Sequence, residues 1–222
     1  IEEVDFEIGK DTSAIGDTTA IDTTNNPLKF RITSDSTAEV SGYRYYYNNT
    51  DSIAIPEKVR INGKIYNVTS IGDGVFGGYS GLTSIRIPES VTSIGAEAFI
   101  GCSDLTRINI PEGVTSIGYE AFYGCSGLTN THITIPASVA RIDSGAFAGS
   151  NLKSIEISEG ITSITFGAFA GCDSLKNIKI PTSVTSIEGS AFSGCSSLTS
   201  INIPEGVTSM GESAFSSCSS LT

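Results

Sequence analysis

The stretch Ile110–Cys125 reads IPEGVTSIGYEAFYGC, and Ile203–Cys218 reads IPEGVTSMGESAFSSC. A chain that restates one phrase repeats a shape, so the period comes before any motif. The phenylalanine of the phrase recurs at Phe76, Phe99, Phe122, Phe147, Phe169, Phe192 and Phe215, in steps of 23, 23, 25, 22, 23 and 23 residues. A proline after I-x-I recurs at Pro88, Pro111, Pro136, Pro181 and Pro204, with Ser158 in its place once. The unit is I-P-x-x-V-T-S-I-G-x-x-A-F-x-G-C-x-x-L-T-x-I-x. Two copies depart from it: LTNTHITIP gains two residues, and AFAGSNLKS loses one together with its cysteine. Both changes fall between the phenylalanine and the next I-x-I, where a loop absorbs them.

The unit has readable geometry. L-x-x-I-x-I (Leu105, Ile108, Ile110) alternates as a half-buried strand does. The β-branched VTSI predicts a second short strand. GxxAFxGC, with glycine at both ends, predicts one tight helical turn. One unit buries too little apolar surface to offset the ordering of its backbone. Stacked units give each strand a partner above and below, at a spacing near 4.8 Å.

L-x-x-I-x-I resembles the strand of leucine-rich repeats. The whole unit, over about Val68–Thr222, resembles the BspA-like (treponemal-type) leucine-rich repeats. The resemblance implies a mainly β, right-handed solenoid of about seven coils of ~23 residues, with short parallel strands and short helical turns. Phe30–Gly72 looks like the N-terminal cap that precedes such repeats. Alternation in KFRIT and YRYYY supports β-hairpins there, and an uncapped first coil would leave an open apolar edge. The expected organisation is a linker or loosely ordered segment at 1–27, a β cap at 28–67 and the solenoid at 68–222. The last unit stops at Leu221–Thr222 without a visible cap, so the repeats are expected to continue.

Composition narrows the function. The 222 residues carry a net charge of −11, with no basic stripe, which argues against nucleic acid or an anionic membrane surface as partner. No apolar run approaches the roughly 18 residues of a membrane span. GDGVFG (Gly72–Gly77) satisfies G-x-G-x-x-G, but it aligns with the turn GAEAFIG and lacks a βαβ setting. SNLK (Ser150–Lys153) satisfies S-x-x-K, but it is the shortened loop. Cys102, Cys125, Cys172, Cys195 and Cys218 sit one coil apart, or two across Ser150, and not at metal-ligand spacing. They read as buried thiols in a ladder, with bridges or a reactive thiol as the alternative. His132 is the single histidine, so no His-rich metal site is expected. Glu112, Glu120, Glu205 and Glu212 read as solvating charges. No cofactor is expected.

What the phrase leaves free is where recognition is expected. The residue between the two isoleucines reads Arg86, Asn109, Thr134, Glu156, Lys179, Asn202. The residue before the first isoleucine reads Ser84, Arg107, His132, Ser154, Asn177, Ser200. These twelve should face outward on the concave side, a mixed polar surface suited to an extended polar partner. Tyr43, Tyr45, Tyr46 and Tyr47 form an aromatic cluster that either covers the first coil or binds a ligand. BspA-like proteins are often bacterial surface proteins implicated in adhesion. The resemblance thus implies a secreted or cell-surface recognition module for an extracellular protein or glycan, monomeric or weakly oligomeric. A passive spacer presenting another domain is the alternative. An enzyme is disfavoured, because acid, base and nucleophile are nowhere clustered in sequence.

Overall fold

Two apolar patterns alternate along each coil, and each makes a strand. The computed structural model describes residues 27–44, 51–129 and 132–222. Leu28–Ile32 (β1), Thr37–Tyr43 (β2), Ser52–Ala54 (β3), Lys58–Ile61 (β4) and Lys64–Ile71 (β5) precede the regular coils. The coils then supply alternately an I-x-I strand and a TSI strand. These are Ser84–Arg86 (β6), Ser93–Ile94 (β7), Arg107–Ile108 (β8), Ser116–Ile117 (β9), His132–Ile135 (β10) and Arg141–Ile142 (β11). They continue as Ser154–Ile157 (β12), Ser163–Ile164 (β13), Asn177–Lys179 (β14), Ser186–Ile187 (β15), Ser200–Asn202 (β16) and Ser209–Met210 (β17).

Stacking pairs each strand with its equivalent in the next coil, in parallel and in register. The I-x-I strands form β3-β6-β8 and β10-β12-β14-β16. The TSI strands form β5-β7-β9-β11 and β13-β15-β17. Each set breaks once, beside a departure from the period. The I-x-I break follows the two-residue insertion. The TSI break falls at the shortened coil, where the Thr165 hydroxyl donates to the Ile142 carbonyl. In intact coils a backbone amide donates there instead, as Gly118 does to Ile94.

The cap grows into the solenoid rather than sitting on it. β1 pairs antiparallel with β2, and β2 runs parallel to β5. β5 pairs antiparallel with β4 and, through Ser70 and Ile71, parallel with β7. One strand therefore serves both units. The β4–β5 turn is Asn62-Gly63, both at positive φ (50° and 80°), as a tight hairpin requires. Tyr43 is buried and stacks on Tyr79 at 5.0 Å, so this member of the tyrosine cluster covers the first coil. Tyr45, Tyr46 and Tyr47 lie outside the described residues, as do positions 1–26.

The expected helical turn is corrected: no helix occurs among the described residues. GxxAFxG is a chain of tight turns, and its backbone explains why. The third and seventh residues of each segment are left-handed, for example Glu97 (φ 56°) and Gly101 (φ 68°), which a right-handed helix excludes. Alternate amides then leave the coil. Glu97, Phe99 and Gly101 donate to the carbonyls of Tyr119, Ala121 and Tyr123 in the next coil. The amides between close local turns, as Ile100 does onto Glu97.

This ladder crosses both sheet breaks. Phe122 donates to Ala146 past the insertion, and Phe147 to Ala168 past the shortened coil. Beneath it the seven phenylalanines, fully buried except for half-buried Phe215, stack at 5.1–5.7 Å with rings 3–14° from parallel. They bound six coil-to-coil steps, and this turn column is the unbroken spine of the molecule.

Candidate binding face

The twelve outward positions follow from the pleat. In β10 the order His132, Ile133, Thr134, Ile135 is exposed, buried, exposed, buried, and β12 and β14 alternate in the same sense. All twelve side chains stand on the I-x-I face, with Ser84 and Ser154 half-buried and the rest exposed. They fall into two blocks. Ser84, Arg86, Arg107 and Asn109 lie on or beside β6 and β8. The other eight lie on the four-stranded sheet, where register sets Thr134 beside Glu156, Glu156 beside Lys179, and Lys179 beside Asn202.

Stacking also brings together what the sequence holds 22 or 24 residues apart. The His132 ring meets the Ser154 hydroxyl at 3.0 Å through Nδ1 and the Glu156 carboxylate at 3.5 Å through Nε2. A serine, a histidine and a glutamate in contact are the elements of a hydrolytic triad. The setting withholds the rest. The His132 and Glu156 side chains are 57% and 59% exposed, on an open sheet face. The backbone of β12 is laddered on both sides, to β10 and β14, so it presents no pair of free amides for an oxyanion. The trio is a polar contact point. Sequence reading missed it because Glu156 is distant until the coils stack.

The look-alike motifs are part of the frame. In GDGVFG the amides of Gly74 and Phe76, which would have to cradle a phosphate, donate to Ala96 and Ala98. Ser150 of SNLK is buried and donates to the Phe147 carbonyl at 2.5 Å.

The five cysteines are free thiols. Each Sγ donates to the phenylalanine carbonyl of the coil before it. Cys102 reaches Phe76, Cys125 reaches Phe99, and Cys172, Cys195 and Cys218 reach Phe147, Phe169 and Phe192, all at 3.1–3.2 Å. Ser150 has the shorter bond to its oxygen and turns to its own coil, so one rung is missing. Burial pushes the Cys102 and Cys172 thiols up to about 12 and raises Cys125 and Cys195 as well. Thiols held protonated are poor nucleophiles and poor metal ligands. Among the described residues no three His, Cys, Asp or Glu side chains converge on a possible ion site.

Repeat geometry of this kind has relatives. The model of the BspA type leucine-rich repeat region matches residues 38–134 and 129–222 in six copies. The chain belongs to the BspA-type leucine-rich-repeat family. A leucine rich cell surface protein from Faecalibacterium prausnitzii is 40% identical with a TM-score of 0.78, covering 90% of this chain and 52% of its own. A leucine-rich repeat protein from Bacteroides ovatus is 32% identical with a TM-score of 0.68, covering 84% and 54%. The T. pallidum leucine rich repeat protein is 28% identical with a TM-score of 0.80, covering 89% of each chain. No curated protein matches. The chain spans about half the length of the Faecalibacterium and Bacteroides proteins (52% and 54%).

Beyond the strand face, three large apolar side chains project from the turn column: Tyr119 (48% exposed), Tyr123 (45%) and Phe166 (57%). The sequence signal for them was present. They stand at turn positions that the phrase leaves free, filled elsewhere by Ala96, Ser144, Ala148 and Gly189.

Proposed function

We propose that this BspA-type repeat chain is a non-enzymatic recognition module, secreted or displayed on a bacterial cell, that takes an extracellular protein or glycan on the I-x-I face. The observation that carries the reading is the contrast between frame and display. The inward isoleucines repeat with little change, while Ser84, Arg86, Arg107, Asn109, His132, Thr134, Ser154, Glu156, Asn177, Lys179, Ser200 and Asn202 vary freely in register beside them. Strands about 4.8 Å apart, with outward residues about 7 Å apart along each strand, make a grid of donors and acceptors suited to an extended polymer. The cell-surface description of the Faecalibacterium relative supports the location.

The test is a screen of glycans and extracellular proteins against the chain, repeated with Arg86→Glu/Arg107→Glu/Lys179→Glu. A partner of the strand face binds the variant at least about tenfold more weakly, since each reversal turns an attractive rim charge into a repulsive one. Equal binding to both proteins would remove the site from this face. The second reading, a spacer that holds another part of a longer protein, rests on the greater length of two relatives. It is favoured if no partner binds the chain while a longer relative retains one.

A further inference from the structure

The turn column carries a second surface whose chemistry differs from that of the strand face. The seven turn segments (72–79, 95–102, 118–125, 143–150, 165–172, 188–195 and 211–218) contain no lysine or arginine. They hold Asp73, Glu97, Glu120, Asp143, Glu188 and Glu212. The exposed rings of Tyr119, Tyr123 and Phe166 stand among these carboxylates.

The local arrangement is ordered along the stack. Tyr119 and Tyr123 flank the buried Ala121-Phe122 pair of one coil, and Phe166 sits two coils further on. The coil between offers Ser144, Gly145 and Ala148, too small to shade the rings, and Asp143, whose carboxylate is paired with Arg141 of the preceding strand. The Glu120 side chain lies across this coil, because a Cβ on Gly145 would stand 3.0 Å from Glu120 Cγ. The same carboxylate faces the Tyr119 hydroxyl and, by hydrogen bond and charge, pushes it above its usual range. At Phe166, the Glu188 carboxylate accepts the Phe166 amide at 2.9 Å through one oxygen and the Ser163 hydroxyl at 3.0 Å through the other, and its charge stays beside the ring. The ring itself rests against Gly189, where a Cβ would come within 3.3 Å of it. Ring, carboxylate, ring and carboxylate therefore alternate along the ridge.

We propose that this ridge docks a lysine- or arginine-rich extended segment of a partner protein. A cation over an exposed aromatic ring is attracted by its π face, and a carboxylate beside the ring adds a charged hydrogen-bond acceptor. Phe166 beside Glu188 supplies both, as does Tyr119 beside Glu120. The two coil steps between Tyr119 and Phe166 are 5.1 and 5.7 Å in the phenylalanine column beneath. An extended chain advancing about 3.3 Å per residue covers them in about three residues. Basic residues at that spacing reach both rings. This surface is separate from the strand face and does not depend on what that face binds.

The probe is a fluorescein-labelled peptide with two arginines three residues apart, compared with its glutamine-substituted twin by fluorescence polarisation at physiological salt. The arginine peptide is expected to saturate the protein and the twin not to. Tyr119→Ala/Phe166→Ala leaves the protein charge unchanged and removes only exposed rings. It is expected to bind about tenfold more weakly, with an unchanged unfolding midpoint. Equal affinity in this variant would overturn the proposal, because binding would then be bulk attraction to an acidic protein. Equal binding of the twin would overturn it in favour of a neutral ligand. Sedimentation that shows self-association abolished by the same variant would overturn it in favour of a second copy of the chain.

Discussion

The cysteine shows how one side chain acts at the scale of a residue. Its thiol is small enough for the core, yet long enough to reach the phenylalanine carbonyl of the coil before it. Cys102 and Cys172 are pushed from 9.0 up to about 12 because burial disfavours the thiolate. In the unfolded chain the same groups ionise near their ordinary value. Their neutral form therefore contributes in full below about pH 9, and that contribution is lost as pH rises towards 12. Urea midpoints are expected to fall across this window, less steeply in Cys102→Ala/Cys172→Ala. An identical slope in both proteins would remove Cys102 and Cys172 as a cause. Exposure also ranks reactivity. Cys218 is half-buried, whereas the other four are buried. A thiol reagent near pH 8 is expected to label Cys218 first in the folded protein, and equal labelling of all five would contradict the burial.

Among the elements, the two kinds of glycine in the turn have different duties. Gly124 is left-handed (φ 68°), and a Cβ there would meet only ordinary contacts at 3.8 Å. Gly124→Ala is expected to cost about 1–2 kcal/mol, the strain of that backbone region. A Cβ on Gly118 would stand 2.6 Å from Ala96 N and Gly95 C. Gly118→Ala must push coils apart, at a cost of about 1–3 kcal/mol or more. The stack has answered such pressure elsewhere. Thr165 and Glu188 occupy the equivalent position, and the phenylalanine steps there are the widest, 5.7 and 5.5 Å, though Asp143 does so at 5.1 Å. Matching unfolding free energies for the two variants would show that close approach is not what Gly118 provides.

The strands and the phenylalanine column were legible in the sequence because their period is carried by apolar residues. The turn ladder was not. Its left-handed positions are filled by Glu97, Glu120, Ser190 and Ser213 as well as by glycine, so the letters do not betray the backbone. The His132, Ser154 and Glu156 contact was hidden too, because it depends on the register between coils. The outward columns could be read from alternation alone, but the exposed aromatic ridge needed the coils to be stacked.

At the scale of the whole molecule, neighbouring coils hold one another through backbone ladders and the phenylalanine column. The open strand face carries little of that load. Stability then belongs to the repeated letters and display to the varied ones, and the two should change independently. Distant surface positions are close to additive and individually small, whereas a buried phenylalanine leaves a cavity in a column shared with both neighbours. The measurement that separates them is urea unfolding of Phe122→Ala beside Arg86→Glu/Arg107→Glu/Lys179→Glu. Phe122→Ala is expected to lose about 3–5 kcal/mol, and the triple variant to stay within about 1 kcal/mol of the parent. A triple variant that unfolds while Phe122→Ala keeps the parent's stability would contradict the division between frame and display.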